Sequence, residues 1–595
     1  MKKTIAIVTP PFIADFFTQP AGPILSACLK RAGFEAKHVD INVEFYRYLR
    51  SFIAVKELAN PHGQSNPVQI RDSFLMYFAN KYFSDFCEGE PAYRQYIVAG
   101  KESIEHLSPD LSYGFGFTGF LKAPRPICAQ FIKDEARNLH HRFYEDTKWD
   151  ARLAESCDQV GLSLIAPAQF VPAMTLAWRL KRLKPKIRIV LGGAWVTMFV
   201  EDLVSAREFA ELFDVVIQGE GETPLLELTR AEGAEALEGV PNAHVKRADG
   251  TFSSPRRFAE TDMNGLPAPD YAGLPLDDYS VPRPVLLQTA RGCYWNKCAF
   301  CVHTFANKRY KIRRLELVLS DIDALMESCR PRFIVFTDLC HPANRMEKIS
   351  EWIIQKGHRV NWFVFMRFED SLTRDVLGKM REAGCDRIAF GLESANELTL
   401  RTIRKGHKMA TVKRILEDCH ALGVKTVLNT MVGLPGESRE DAMDTLAFLR
   451  ENQDRFFEAH VEIFRLEKDS DIYNRPEAYG ISLDKSRSAP FDNSIDFRNG
   501  EGKLQSDEAL ELANRTVYSY YREKPGSAYV RKSMRSLTHA YPEPSVFEAV
   551  CRFPFQGVSR TVTAINVAWD ILEPVEAGRL DPPMNSAATG GRARL

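Results

Sequence analysis

The sequence predicts an α/β protein: two units built on parallel sheets, followed by a mostly helical C-terminal region. Three observations carry this. Short apolar runs alternate with amphipathic, helix-length segments over residues 1–231, apart from one long interruption. The alternation returns over 285–480 with six strands, which suits an incomplete β/α barrel with functional groups at its carboxyl ends. Between them, 232–284 is a proline-rich connector of the kind that crosses extended between domains. Strand–helix–strand order makes neighbouring strands parallel.

At 595 residues the chain has length for roughly two to four domains with ample cores. Acidic and basic residues number 78 each, so nothing favours a nucleic acid or an anionic membrane as partner. No apolar run approaches the length of a membrane span. The opening Met-Lys-Lys-Thr-Ile-Ala-Ile-Val-Thr-Pro-Pro begins like a signal peptide, but its apolar part is too short and its prolines suit a strand end. Of twelve cysteines only three cluster, which points to a reducing cytoplasm and not to a disulfide framework. Cys28 and Cys419 fall on apolar helix faces, as small core residues do.

In the first unit, a strand over 4–8 ends at Thr9-Pro10-Pro11. Pro23 opens a helix with Ile24, Leu25, Cys28, Leu29 and Ala32 inward and Gly33 as its stop. A second strand covers 35–41. Residues 43–150 form a mostly helical insertion, periodic at 70–86 and 129–144, suited to packing or to enclosing a substrate. A strand over 159–164 carries Ser163 at its end. A helix over 172–183 and a strand over 187–191 lead to Gly192-Gly193. A strand over 215–218 leads to Gly219-Glu220-Gly221-Glu222. Ligands of open parallel sheets sit beyond such carboxyl ends. Glycines there let backbone approach a large flat or phosphorylated cofactor.

In the connector, 243–246 and 251–253 flank Asp249-Gly250 as a hairpin. The second unit opens with an apolar strand, a glycine turn and Cys293, Cys298 and Cys301, spaced C-x-x-x-x-C-x-x-C. Three thiolates hold an iron–sulfur cluster by three corners and leave one iron open. A zinc site with His303 as fourth ligand is the other reading. Arg309, Lys311 and Arg313 alternate with Tyr310 and Ile312, as a strand with a solvated basic face or as a grip on a carboxylate or phosphate. A strand over 333–336 ends at Thr337-Asp338, and another covers 360–364. Ser371 caps a helix that stops at Gly384. A strand over 387–390 ends at Gly391-Leu392-Glu393-Ser394. A helix over 411–422 stops at Gly423. A strand over 424–431 runs into Gly433-Leu434-Pro435-Gly436-Glu437, and Ser438 to Asp441 spell a capping box. The last strand covers 458–464. Residues 481–595 are helical around 506–521 and 544–550, with a loose tail from 576.

The cysteine loop resembles that of the radical S-adenosylmethionine (radical SAM) enzymes, whose usual C-x-x-x-C-x-x-C is one residue shorter. Gly-Leu-Glu-Ser and Val-Gly-Leu-Pro-Gly-Glu resemble later strands of the same core. Pro-x-Gly-Pro-Ile-Leu-Ser-Ala-Cys-Leu, Leu-Gly-Gly-Ala-Trp and Gly-Glu-Gly-Glu together resemble the N-terminal domain of cobalamin-binding radical SAM enzymes of the class B methyltransferase type. The resemblance implies a flavodoxin-like, doubly wound sheet ahead of a partial (β/α)6 barrel. It implies a [4Fe-4S] cluster on Cys293, Cys298 and Cys301. It implies S-adenosyl-L-methionine with its amine near Thr337 and Asp338, its methionyl or ribose part near Glu393 and Ser394, its ribose near Asn429, and its adenine near Phe300 and Val432. Cobalamin would lie against Thr9, Pro10, Gly22, Ser163, Gly192, Gly193, Gly219, Glu220 and Glu222. Trp195 would lie under the corrin face or serve as a core aromatic. No D-x-H-x-x-G is present, so the implied corrinoid is base-off without a histidine ligand.

The activity implied is methylation of a carbon in a natural product or modified peptide, through a 5′-deoxyadenosyl radical and methylcobalamin. A cyclase, ring-rearranging enzyme or oxidase with the same cofactors is the second reading, and a non-catalytic cobalamin-binding protein the third. The partners implied are a small-molecule or peptide substrate and an electron donor of flavodoxin or ferredoxin type.

Overall fold

In a computed structural model, the residues described are 3–11, 18–51, 125–136, 138–279, 281, 283–302, 309–485, 491–509 and 512–513. The first strand shows why a parallel sheet forms. In β1 (Thr4–Thr9), Ile5 and Ile7 enter one apolar core while Ala6 and Val8 enter another. A strand buried on both faces needs helices on both sides. β2 (Glu35–Asp40), β3 (Gln159–Ser163), β4 (Arg188–Gly192) and β5 (Val215–Ile217) join it in parallel, in the order β2-β1-β3-β4-β5. That is the flavodoxin-like order, with its ligand crevice where the winding reverses between β1 and β3.

The hairpin expected in the connector does turn at Asp249-Gly250, where Arg247 N–H donates to Thr251 O. Its first arm, β6 (Ala243–Val245), however adds antiparallel to β5, so this part of the connector closes the first sheet.

In the insertion, residues 52–124 lie outside the described residues, and with them the periodic stretch 70–86. The expected helix over 129–144 is two helices, Arg125–Lys133 and Leu139–Thr147. Asn138 divides them: its side chain accepts from His140 N–H and donates to Thr175 Oγ1 at 2.8 Å. Phe45, Phe143 and Tyr144 are fully buried and extend the first sheet's core.

Two tyrosines tie the connector to both units. Tyr271 Oη donates to Leu286 O and accepts from Leu286 N–H, both at 2.7 Å, satisfying an outer strand that would otherwise present an open edge. Tyr279 donates to Asp40 Oδ2 at 2.7 Å.

The second sheet is led by β7 (Pro284–Leu287). β8 (Ala290–Arg291) and β9 (Lys311–Ile312) form a short antiparallel ribbon that brackets the cysteine loop. β10 (Phe333–Phe336), β11 (Asn361–Met366), β12 (Cys385–Glu393), β13 (Lys425–Val432) and β14 (Glu458–Ile463) complete six parallel strands in the order β14-β13-β12-β11-β10-β7. This is the partial barrel expected. Val285, Ile334, Trp362, Ile388 and Leu428 share one buried cluster with the flanking helices, leaving alternate residues to the concave face. The capping box at Ser438 and Asp441 forms. The earlier helix begins later than expected: Thr373, not Ser371, accepts from Val376 N–H at 3.3 Å and caps Arg374–Glu382.

The C-terminal region departs from the helical expectation where it begins. β15 (Leu466–Glu467), β16 (Ile481–Asp484) and β17 (Ser494–Asn499) form an antiparallel sheet. Alternating Ile481 and Leu483, and Ile495 and Phe497, put apolar side chains on one face of it. Residues 506–509 are helical as expected, while 544–550 lie outside the described residues. Among the described residues no helix is long and apolar enough to cross a membrane.

Candidate active site

The cysteine loop leaves β8 through Gly292 at φ +81° and is tied down on both sides of Cys298. Trp295 Nε1–H donates to Arg404 O at 3.0 Å, and Ala299 N–H to Ile403 O at 2.9 Å. All three cysteines are partly accessible. Cys293 is pushed down to about 5, chiefly by a hydrogen bond from the Cys340 thiol; burial opposes this, and the Asn296 and Trp295 amides and Arg367 add to it. Burial pushes Cys298 up, with Lys405 and Arg367 working against it. Cations of the barrel thus offset part of the burial at Cys298 and favour the thiolate at Cys293. Among the described residues no group of three His, Cys, Asp or Glu is placed to hold one metal ion, and His303 lies outside them. A cluster spreads its thiolates over three separate irons.

Around this loop the strand ends carry the polar groups. Asp338 is buried and accepts from Thr289 N–H at 2.6 Å and Thr289 Oγ1 at 2.5 Å, which closes β7 onto β10. Thr337 Oγ1 is buried without a hydrogen-bond partner. Glu393 sits at φ +63°, at an irregularity between β12 and β13, and pairs with Lys405 at 2.8 Å. A Cβ at Gly391 would stand 2.5 Å from Glu393 Oε1 and 2.6 Å from Lys405 Nζ, so a side chain there would displace the ends of the pair. Non-glycine residues held in left-handed backbone gather at functional sites. Asn429 is half-buried beside Gly391 in the ladder. Phe300 is partly buried against the cluster that contains Ala299 and Ile403.

Two expected contacts turn out to be structural. Ser394 is fully buried, 3.0 Å from Thr445 Oγ1, and its hydroxyl accepts from Asn396 N–H. Val432 is fully buried with Leu446 and Leu504. Ser394 closes one strand-end motif and Val432 opens another, and alternation turns both side chains away from the mouth.

A cavity of about 260 Å³ lies at the carboxyl ends of the first sheet. Ser163, Gly192, Gly193, Gly219, Glu220 and Glu222 all line it. Ser163 Oγ is buried without a hydrogen-bond partner. Gly193, at φ +109°, passes over the end of β3: a Cβ there would stand 2.2 Å from Leu164 O. At Gly192 a Cβ would meet nothing within 4 Å.

Of the two readings of Trp195 the core one holds: its ring stacks on Phe491 at 5.4 Å, lies tilted 5.6 Å from Phe170, and is not part of the cavity wall. Three expectations for this edge are corrected. Thr9 Oγ1 bonds His38 Nε2 at 3.0 Å, and Pro10 O accepts from Gln169 Nε2 at 2.9 Å. Gly22 is a glycine because a Cβ there would stand 2.2 Å from the His38 ring. His38, buried and pushed down to about 3 by desolvation, is a neutral spacer that the sequence did not mark.

Of the basic stripe, Arg309 is exposed, but the other two cations are not solvated. Lys311 pairs with Glu220, and Arg313 is buried against Asp321 at 2.7 Å. Arg291 joins Glu220 at 3.0 Å and also pairs with Glu222. Arg291, Arg367, Lys405 and Cys340 were missed in the sequence. For Arg291 a signal existed: a cation directly preceding Gly292-Cys293 after a buried strand. A second cavity of about 910 Å³ lies against the cysteine loop and is lined by Trp295, Cys298, Cys301, Arg401, Gly406 and Lys408 among others.

Residues 287–449 match the family model of the radical SAM superfamily, so the chain carries a radical SAM domain. An uncharacterized methyltransferase of Pyrococcus horikoshii is 29% identical over 301 residues, 49% of this chain and 64% of that protein. An anaerobic magnesium-protoporphyrin IX monomethyl ester cyclase of Rubrivivax gelatinosus is 26% identical over 347 residues, 56% of this chain and 60% of that one. The chain therefore spans less than two thirds of these relatives' length. Among solved structures, the radical S-adenosylmethionine methyltransferase TsrM of Kitasatospora setae, with cobalamin and a [4Fe-4S] cluster bound, superimposes with TM-score 0.54 at 14% identity, over 87% of this chain and 89% of that one. The cobalamin-dependent S-adenosylmethionine radical enzyme OxsB, with aqua-cobalamin and S-adenosylmethionine bound, gives TM-score 0.56 at 12% identity, over 99% and 82%. The radical SAM domain is set in the fold of the cobalamin-dependent radical SAM enzymes.

Proposed function

We propose that this protein is a cobalamin-dependent radical SAM C-methyltransferase acting on a carbon of a natural product or modified peptide. One observation carries the reading: Arg291 lines the cavity of the first sheet and lies two residues before Cys293, so that cavity and the start of the cysteine loop adjoin along the chain. The residues fit the groups. An apolar cavity with one orphan buried hydroxyl, at glycine strand ends, suits the tail of a corrinoid. Three partly accessible cysteines, with Arg367 acting on Cys293 and Cys298 and Lys405 on Cys298, suit a cluster with an open iron.

When bound, the cluster, S-adenosylmethionine and cobalamin supply the reducing electron, the hydrogen-abstracting radical and the methyl group. The chain supplies position and exclusion of water. Cys293, Cys298 and Cys301 hold the cluster. Thr337 Oγ1 and the Glu393–Lys405 pair offer a hydroxyl, a carboxylate and an ammonium at the barrel mouth. Ser163 Oγ and the Gly192-Gly193 backbone hold the corrinoid. The second reading, a cyclase without methyl transfer, is favoured by the relative of that name. A cytoplasmic setting with a flavodoxin- or ferredoxin-type donor belongs to either.

The deciding experiment is anaerobic reconstitution with iron, sulfide and cobalamin, then turnover with methyl-labelled S-adenosylmethionine and candidate substrates. Label in the product is expected. Deoxyadenosine formation with no label in any product would favour the cyclase reading.

A further inference from the structure

We propose that Trp295 is the positioning residue of the cysteine loop: its indole, seated on Gly406, fixes the path of the extra residue between Cys293 and Cys298. This rests on the cluster reading above. The loop carries four residues where the shorter spacing carries three, so one more residue must be ordered before the sulfurs are fixed.

The geometry shows how that ordering is done. Trp295 lies against the turn that follows the helix Glu397–Thr402. A Cβ at Gly406 would stand 2.1 Å from Trp295 Cζ2, and Gly406 has φ +82°. Only a hydrogen fits beneath the ring. The indole N–H donates to Arg404 O at 3.0 Å. The Arg367 guanidinium lies 4.2 Å from the ring centroid and itself donates to Lys405 O at 2.6 Å. Lys297 places its ammonium 4.8 Å from the same ring. Beyond the ring, Asn296 takes φ +45°, a left-handed conformation that asparagine tolerates and that turns the chain back toward Cys298. Ala299 N–H then bonds Ile403 O, so one turn, 403–406, holds the loop on both sides of Cys298. Tyr294 Oη adds a bond to Glu369 Oε1 at 2.6 Å. A lone core tryptophan needs none of this polar anchoring.

The test uses the full chain, reconstituted anaerobically with iron and sulfide. Iron released to a chelator is followed with time, and the reduced cluster is recorded by electron paramagnetic resonance. Apoprotein unfolding is measured in parallel. Trp295→Ala and Gly406→Ala should each lose iron on the order of tenfold faster than wild type, the usual scale for a group that orients metal ligands. The Trp295→Ala apoprotein should unfold near the wild-type midpoint, while Gly406→Ala, at φ +82°, should unfold somewhat earlier. Trp295→Phe keeps the ring and loses the N–H bond, and should fall between. In Trp295→Ala/Gly406→Ala the second change should add little, because the ring it displaces is gone. Iron loss at the wild-type rate in both Trp295 variants overturns the proposal while leaving the cluster reading intact. A full additive effect of Gly406→Ala in the double variant also overturns it, since backbone strain alone would then explain the result. A wild-type protein that takes up no iron overturns the cluster reading and this proposal together.

Discussion

Arg291 and Glu220 form an ion pair of 3.0 Å across the seam between the two parallel sheets, with side chains only 9% and 10% exposed. Glu222 and Lys311 complete a buried group of two anions and two cations. Thr261 N–H and Oγ1 bond the two carboxylates. The Gly-Glu-Gly-Glu turn and the start of the cysteine loop are therefore one rigid piece. Arg291→Met leaves Glu222 without its cation, and losing one partner of such a pair costs about 3–5 kcal/mol. Denaturant unfolding at pH 7 should show that deficit. Burial pushes Glu220 up, but Arg291 and Lys311 outweigh it and hold the carboxyl below its ordinary range. Stability from a lowered carboxylate is present above the unfolded value and lost as pH falls through the folded one. The deficit of Arg291→Met should accordingly shrink below about pH 4, the usual carboxylate range.

Gly192 and Gly193 separate the fold from the cavity. Gly193→Ala drives a Cβ into Leu164 O in a backbone conformation that alanine resists. It should lower the unfolding midpoint of the apoprotein and abolish corrinoid uptake. Gly192→Ala meets no protein atom within 4 Å, but the new methyl enters the cavity wall. Its apoprotein should unfold like wild type while cobalamin binding, followed by absorbance titration, weakens several-fold. Equal apoprotein stability of the two variants would contradict the geometry.

The two glycines also show what was legible in the sequence. Strand order and turn position follow from local patterns: a buried run, then Gly-Gly, then a helix. So do both sheets, the six barrel strands and the capping box at Ser438. What a side chain at a turn will touch is set by neighbours distant in sequence. Thr9 is read as a ligand because it ends a strand, yet its partner is His38, one strand over. Trp195 is read either beside a corrin or in the core, and Phe491, distant in sequence, stacks on it in the core. Lys311 and Arg313 look solvated from alternation alone, and their acidic partners come from the first sheet and the next helix. The β16–β17 hairpin was missed because its strands are short and carry Ser482, Asp484, Asp496 and Arg498 on the alternate face.

Glu437 gives the fold a pH dependence of its own. It is 1% exposed, and its Oε2 accepts from Gly433 N–H at 2.6 Å and Leu434 N–H at 3.1 Å, closing the turn after β13. Burial pushes it up to about 7, against those two bonds. A carboxyl raised in the folded state binds its proton more tightly there than when unfolded. Stability therefore falls as pH rises from the unfolded value, near 4.3, to about 7. The whole effect is at most about 4 kcal/mol, at 1.36 kcal/mol per pH unit. Glu437→Gln keeps an acceptor for both amides and removes the proton. Unfolding midpoints at pH 5 and pH 8 should lie closer together in the variant than in wild type.

Lys405 and Glu393 act on Cys298 with opposite signs, which makes the pair separable. Their side chains are 10% and 12% exposed and 2.8 Å apart. Burial pushes the Cys298 thiol up; Lys405 draws it down and Glu393 pushes it further up. Thiolate, not thiol, reacts with alkylating agents. In the apoprotein, Lys405→Met should therefore slow iodoacetamide labelling of Cys298, and Glu393→Gln should speed it, each read by peptide mass spectrometry at pH 8. Lys405→Met also strands a buried carboxylate, so its unfolding free energy should drop by about 3–5 kcal/mol. Cys28, buried and pushed up to about 11, supplies the internal reference: its labelling should stay slow in every variant that remains folded. If both variants shift Cys298 in the same direction, the charges are not acting through space on this sulfur, and the loop has moved instead.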